Sequence, residues 1–292
     1  MLVSFVLEIS PVKDTTLPVS HGRALHGMFL GLISKVAPEM ADALHEGPTE
    51  DGSPVDRPFT LSLIYGRYKK RQGELFLSSG ERYFVRITGI EKGFSSFLEK
   101  LPVEVMQRVQ ICSEEFLLRE FYRNESEHPD VKRTTYEELV KKYMMLSPEQ
   151  AMALPPKIKM TFVSPATFRQ GNRNLPLPVP SLVFHKLLSR WERFSSVSFR
   201  EEPRIPHSEL LWSLTQELAI GGYNLRTRML DFGNYRMVGF IGDCEFVLKP
   251  KKRLPAYRQV LLRQWLHIMK EYAFYAGVGY KTTMGMGQVR VE

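Results

Sequence analysis

The stretch that decides the fold runs Tyr223-Asn-Leu-Arg-Thr-Arg-Met-Leu-Asp-Phe232, then Gly233-Asn234, then Tyr235-Arg-Met-Val-Gly-Phe-Ile-Gly-Asp-Cys-Glu-Phe-Val-Leu-Lys249. Two strand-like runs meet at a two-residue Gly-Asn turn, the pattern of a tight β-hairpin. Upstream, Ile158, Met160 and Phe162 alternate with Lys157, Lys159 and Thr161, which predicts a strand with one apolar face. A helix then begins near Pro180, a residue suited to a first helical turn, with Phe184, Leu187, Leu188, Trp191 and Phe194 along one stripe. Downstream, Leu261, Trp265, Ile268 and Tyr272 mark one face of a long helix over 257–275, and 288–291 reads as a closing strand. The order is β-α-β-β-α-β, the split-βαβ arrangement.

The first half shows the same order. Val3, Phe5, Leu7 and Ile9 alternate in a first strand, and Leu25, Phe29, Leu32 and Val36 recur at helical spacing within 17–36. Strand-like runs follow at 59–65, 74–78 and 83–90, then a short helix near 94–98 and a β-like stretch at 103–112. The charge-dense segment 113–155 reads as a connection holding one capped surface helix that starts at Thr135. The expected fold is therefore α+β, two tandem ferredoxin-like (βαββαβ, RRM-like) domains at 1–112 and 156–292 joined by 113–155.

The 292 residues are 43% hydrophobic and 25% charged, ordinary for a folded chain. Lys and Arg number 40 against 32 Asp and Glu, a net charge of +8 that favours a polyanionic partner without choosing nucleic acid over an anionic membrane surface. Cys112 and Cys244 are too few for a disulfide framework or a zinc site, and each sits in an apolar run that predicts a buried thiol. The alternating start reads as a strand rather than a signal peptide, and no apolar stretch approaches ~20 residues, so a cytoplasmic protein without membrane contact is expected.

Between the last helix and the last strand lies Gly277-Val-Gly279-Tyr-Lys-Thr-Thr-Met-Gly285-Met-Gly287. Two Gly-x-Gly pairs around Lys281 and Thr282 let the backbone come close to another chain and offer N–H groups to phosphate oxygens. A dinucleotide site or P-loop needs strand, glycines, helix; here the order is reversed. A helix C-cap at Gly277 plus a bend without ligand is the alternative.

The spacing of those glycines resembles the signature of the CRISPR repeat-processing endoribonucleases of the RAMP superfamily. Phe162-Val-Ser-Pro-Ala-Thr-Phe-Arg169, Leu175-Pro-Leu-Pro, Gly239-Phe-Ile-Gly242 and Ala273-Phe-Tyr-Ala-Gly277 occur in the order that family uses. The first half resembles it through Leu25-His-Gly, Leu44-His-Glu and Pro58-Phe-Thr-Leu-Ser. The resemblance implies two ferredoxin-like domains and cleavage of precursor CRISPR RNA within its repeats. Attack of a ribose 2′-hydroxyl on the neighbouring phosphate would leave a 2′,3′-cyclic phosphate and a 5′-hydroxyl, with neither metal nor small-molecule cofactor. It implies repeat RNA as partner and a place beside a guide-RNA effector complex. A non-catalytic RNA-binding subunit of such a complex is the alternative.

That chemistry needs a base, an acid and a cation near the phosphorane, and histidine suits the first two near neutral pH. His45, in the Leu-His-Glu setting, resembles the family's catalytic position; a surface histidine at a helix end is the alternative reading. His26 on the first helix is the second candidate, either pairing with His45 in proton transfer or standing as a partly buried, hydrogen-bonded histidine. Arg57 resembles a position where some relatives carry a lysine, with an ordinary exposed arginine as the alternative. Leu30 stands where some relatives place a catalytic tyrosine. No paired carboxylates stand at metal-ligand spacing; Asp231 and Asp243 lie singly beside turns. Arg67-Tyr-Lys-Lys-Arg71 and the cluster of Lys251, Lys252 and Arg253 are basic runs suited to an RNA path, and Arg169 and Arg173 add donors for phosphates or bases.

Overall fold

The computed structural model describes residues 1–45, 56–103, 107–195, 216–233, 235–249 and 254–291. Two compact units emerge. The first comprises Met1–Arg133 with Leu230–Arg236 and Lys281–Met286; the second comprises Thr134–Met229, Met237–Tyr280 and Gly287–Glu292.

The first unit opens with β1 (Leu2–Pro11), β2 (Thr15–Pro18), α1 (Gly22–Ser34), α2 (Pro38–His45) and β3 (Phe59–Leu61). It continues with β4 (Tyr65–Gly66), β5 (Lys69–Arg71), β6 (Glu74–Leu77), β7 (Tyr83–Gly89) and α3 (Lys92–Lys100). β8 (Arg108–Ile111), β9 (Glu114–Tyr122) and β10 (Lys132–Thr134) complete it. Its main sheet runs β3-β7-β1-β9-β8, with β4 added to β7 and β10 to β1. β1 is buried along its whole length because it has neighbours on both edges, Phe5 opposite Ile87 and Leu7 opposite Phe121. Phe29 of α1, Phe59 of β3 and Phe94 of α3 meet at centroid distances of 5.2 and 5.4 Å, so helices and sheet share one core. A separate small sheet runs β2-β6-β5.

Three expectations change here. Residues 114–122, read as the start of a connection, form β9, which pairs with β1 where the fourth strand belongs; β8 lies outside it. Cys112 and Ser113 both take positive φ (52° and 68°), a two-residue hairpin turn without the Asn-Gly or Gly-Asn signature that marks such turns in sequence. That turn leaves Cys112 exposed rather than buried; Cys244 is buried as expected. The first helix begins at Gly22, not near Leu17, because Leu17 joins β2 opposite Leu75 and Pro18 ends that strand.

The second unit holds α4 (Tyr136–Met144), α5 (Pro148–Ala153), β11 (Lys157–Ala166), β12 (Phe168–Gln170), β13 (Arg173–Leu175) and α6 (Pro180–Phe194). β14 (Leu218–Asp231), β15 (Arg236–Leu248), α7 (Ala256–Ala276) and β16 (Val289–Val291) follow. The sheet order β14-β15-β11-β16 places the first strand between the third and fourth. With helices after the first and third strands, this is the ferredoxin-like topology. The capping box at Thr135 forms as read: Thr135 Oγ1 accepts from Glu138 N at 3.0 Å, and Glu138 Oε2 accepts from Thr135 N at 2.8 Å. Trp191 of α6 packs edge-on against Tyr272 and Trp265 of α7, at 5.1 and 5.6 Å. No helix among the described residues is long and apolar enough to cross a membrane.

Candidate active site

Six of the seven histidines are described, and their surroundings sort them; His207 lies outside the described residues. His21 is 2% exposed and fully used: its Nδ1–H donates to Pro18 O at 2.9 Å and its Nε2 accepts from Ile64 N at 3.0 Å. Burial holds its pKa down to about 4, so it is a neutral core group. His267 is also buried; Nε2–H donates to Pro155 O at 3.0 Å. His128 packs among Tyr65, Phe84 and Tyr122, and its Nδ1 accepts from Asp130 N. His185 is exposed on α6.

His26 differs. Leu25 and Phe29 turn the apolar face of α1 into the core and leave His26 half-buried at its edge. Its ring stacks on Phe59 at 5.9 Å and 11°. Its Nδ1 lies 3.2 Å from the carbonyl oxygen of Thr283, which can only accept, so Nδ1 carries the proton and Nε2 keeps a lone pair. Burial lowers its pKa; the Thr283 carbonyl opposes that, and the positive charges of His45, Arg57 and Lys281 lower it further. The imidazole is therefore neutral near pH 7, the form a general base needs.

The same three neighbours bring the sequence candidates into one electrostatic neighbourhood. His45 ends α2, which is anchored by buried Ala41 and Leu44, and its ring is exposed. Arg57, half-buried, stands two residues before Phe59. Lys281 adopts a left-handed backbone (φ 57°), costing a non-glycine residue ~1 kcal/mol. Its ammonium lies 5.1 Å from the Phe232 ring and 5.3 Å from the Tyr235 ring, two rings stacked on each other at 5.1 Å. Cation–π attraction of about 0.5–1 kcal/mol per ring offsets that cost. Asp231 sets the turn beneath them, accepting from Gly233 N at 2.9 Å and Arg236 Nε at 3.0 Å. The sequence reading missed this aromatic pair; its signal was two aromatics flanking a Gly-Asn turn.

The glycines have structural reasons of their own. Gly277 ends α7 with φ 63°. A side chain at Gly285 (φ 81°) would meet Leu63 at 2.5 Å, and Gly285 bridges Ser62. In the second unit, side chains at Gly279 and Gly287 would strike the carbonyls of Thr167 and Val278 at 2.6 and 2.1 Å. All four glycines and Thr282 are buried. The N–H groups of Gly277, Val278, Tyr280, Met284, Met286 and Gly287 already donate to internal carbonyls. The half-exposed groups of the loop are Tyr280, Lys281, Thr283 and Met284. Gly22, at the start of α1, lies so close beneath this loop that a Cβ there would sit 1.9 Å from Met284 O. That contact carries Thr283 to His26.

Arg169 and Arg173 are exposed on the β12–β13 hairpin, at register positions that alternate to opposite faces. Lys251, Lys252 and Arg253 lie outside the described residues. Asp243 accepts from Thr161 Oγ1 at 2.7 Å and pairs with Lys159; the Thr161 hydrogen bond, then Lys159, hold its carboxyl below the usual range. Among the described residues, no group of three His, Cys, Asp or Glu side chains is arranged to hold a metal ion.

Comparison with known proteins adds two matching family models. The CRISPR Cas6 N-terminal domain matches residues 1–97, and the CRISPR-associated endoribonuclease Cas6 matches residues 160–289. A CRISPR-associated endoribonuclease Cas6 of Mycobacterium tuberculosis is 26% identical over 47% of this chain and 39% of its own length. That of Streptococcus thermophilus is 27% identical over 45% of this chain and 49% of its own. The aligned stretch thus spans less than half of these curated relatives. The solved structure of a Cas6 product complex superimposes over 100% of both chains, with a TM-score of 0.74 and 26% identity.

Proposed function

The chain belongs to the CRISPR-associated endoribonuclease Cas6 family, and from that premise we propose that it is an endoribonuclease that cuts precursor CRISPR RNA within its repeats. The observation carrying the assignment of roles is the neutral His26, its Nδ1 tied to Thr283 O and its Nε2 unprotonated, with the charges of His45, Arg57 and Lys281 acting upon it.

In this reading His26 Nε2 takes the proton of the 2′-hydroxyl upstream of the cut. The 2′ oxygen attacks the adjacent phosphorus, the bond from phosphorus to the 5′ oxygen breaks, and His45 in its protonated form gives that oxygen a proton. The products are a 2′,3′-cyclic phosphate and a 5′-hydroxyl, and no metal ion enters the balance. Arg57 and Lys281 supply positive charge to the phosphorane, where fixed cations act most strongly. General acid–base catalysis of this kind contributes about 10²–10⁴-fold per group. Arg169 and Arg173, and Lys251, Lys252 and Arg253 outside the described residues, would add positive charge for the RNA backbone, in keeping with the net +8.

A repeat RNA carrying one 2′-deoxy sugar just upstream of the cut tests the reading. It should bind as the all-ribose RNA does and resist cleavage. Cleavage of the deoxy substrate at the same bond would exclude 2′-hydroxyl attack, and tight binding without any cleavage of the ribose form would favour a structural RNA-binding role.

A further inference from the structure

We propose that the outer face of the small sheet β2-β6-β5 is a second RNA-contact site, which stacks an unpaired base on Phe76 and holds its flanking phosphates with Lys69, Arg71 and Arg67. The inference rests on RNA being the partner and names residues other than the candidate histidines.

β6 is the central strand of this sheet, and its residues alternate in burial: Leu75 and Leu77 are 3% and 2% exposed, Phe76 is 41% exposed. Leu75 lies opposite Leu17, also buried, so one face of the sheet is a core face. Paired residues share a face and neighbours alternate, which puts Phe76 on the other face with Thr16 opposite on β2 and Lys69 opposite on β5. Arg71, two residues from Lys69, shares that face and pairs with Glu74. Tyr68 adds a second exposed aromatic at 38%.

Thr16, Tyr68, Lys69, Arg71 and Phe76 line a groove of about 860 Å³, with Arg67 beside them. Asp14 and Glu81 line it too. Asp14 is turned to the chain itself: its Oδ1 accepts from Ser78 Oγ at 3.1 Å, Ser79 N at 2.8 Å and Ser79 Oγ at 3.0 Å. An exposed aromatic ring on a sheet, in register with a cation, suits a ligand with a flat π-face and an anionic backbone. Single-stranded RNA has both, and sheet-borne aromatics flanked by Lys and Arg bind it by stacking and charge together.

The test uses the full chain and a repeat RNA blocked by a 2′-deoxy sugar at the cut and extended by unpaired uridines, one of them 4-thiouridine. Phe76→Ala and, separately, the double variant Lys69→Ala/Arg71→Ala should each weaken binding by roughly tenfold. The double variant should also flatten the salt dependence by about 1.4 in log–log slope, for two single-strand phosphates released. Phe76→Tyr, which keeps the ring, should bind as wild type, and the photo-adduct should fall in the tryptic peptide of residues 72–82. Affinity within twofold of wild type for both variants, with unchanged slope, would overturn the site. Because the RNA is blocked, cleavage does not enter: a protein that never cuts yet loses affinity in these variants upholds this site and fails the nuclease reading. One that cuts normally and binds unaffected overturns this site alone.

Discussion

His26 and Thr283 stand 257 positions apart in the chain, yet the Nδ1–H of one donates to the carbonyl oxygen of the other at 3.2 Å. That bond selects the tautomer whose Nε2 is free to take a proton, and it ties the glycine-rich loop to the first helix. Within that loop the contact to the histidine is made by a backbone carbonyl rather than by a glycine: Gly285, Gly279 and Gly287 lie instead against Leu63, Thr167 and Val278.

If His26 is the base, removing it should spare binding and stop chemistry. His26→Ala is expected to lower the single-turnover rate by about 10²–10⁴-fold, with the dissociation constant for blocked repeat RNA little changed. A comparable loss in affinity would mean that His26 holds RNA rather than moving a proton.

The charge on Lys281 should be visible in the pH profile. His26 sits below its ordinary pKa of 6.5, first through burial and then through the positive charges of His45, Arg57 and Lys281. A base works only when unprotonated, so the acidic limb of kcat/KM should lie below pH 6.5. Lys281→Met removes one repelling charge, the pKa rises, and the limb should move to higher pH. A limb that stays put or moves lower contradicts the electrostatic coupling.

Gly22→Ala tests the contact beneath the loop. Alanine for glycine at an undistorted helical position ordinarily stabilises by ~0.4–1 kcal/mol. Here a Cβ would stand 1.9 Å from Met284 O, so the change should lower the melting temperature and slow cleavage together. A more stable variant with full activity would show that the loop does not rest on α1.

Acid sensitivity should trace to His21. Its folded pKa is about 4 against 6.5 unfolded, so the unfolded chain binds more protons between those values. Its contribution is complete above pH 6.5 and is lost as pH falls towards 4, by roughly 3 kcal/mol over the whole window. Denaturant unfolding at pH 7.5 and 4.5 should show the drop, and His21→Gln should shrink it.

The second ferredoxin-like unit was legible because its signals are local: alternation in β11, Pro180 at the start of α6, and a hairpin named by its Gly-Asn turn. The fourth strand of the first unit was not, because Cys112-Ser113 turns the chain without the Asn-Gly or Gly-Asn signature and β9 alternates poorly among charges. His45, His26 and Arg57 could be singled out as candidates by residue type and setting. Their grouping was not, since it depends on a carbonyl at Thr283 and on Lys281 held by Phe232 and Tyr235, contacts that no spacing along the chain encodes.

The most direct measurement is cleavage of the matching repeat RNA in EDTA, with product ends identified, by wild type, His26→Ala and His45→Ala side by side. The account predicts a single cut by wild type, 2′,3′-cyclic phosphate and 5′-hydroxyl ends, and loss of cutting in both variants with binding retained. Cutting that requires a divalent cation, or that leaves a 3′-hydroxyl, or that survives in either variant, would contradict it.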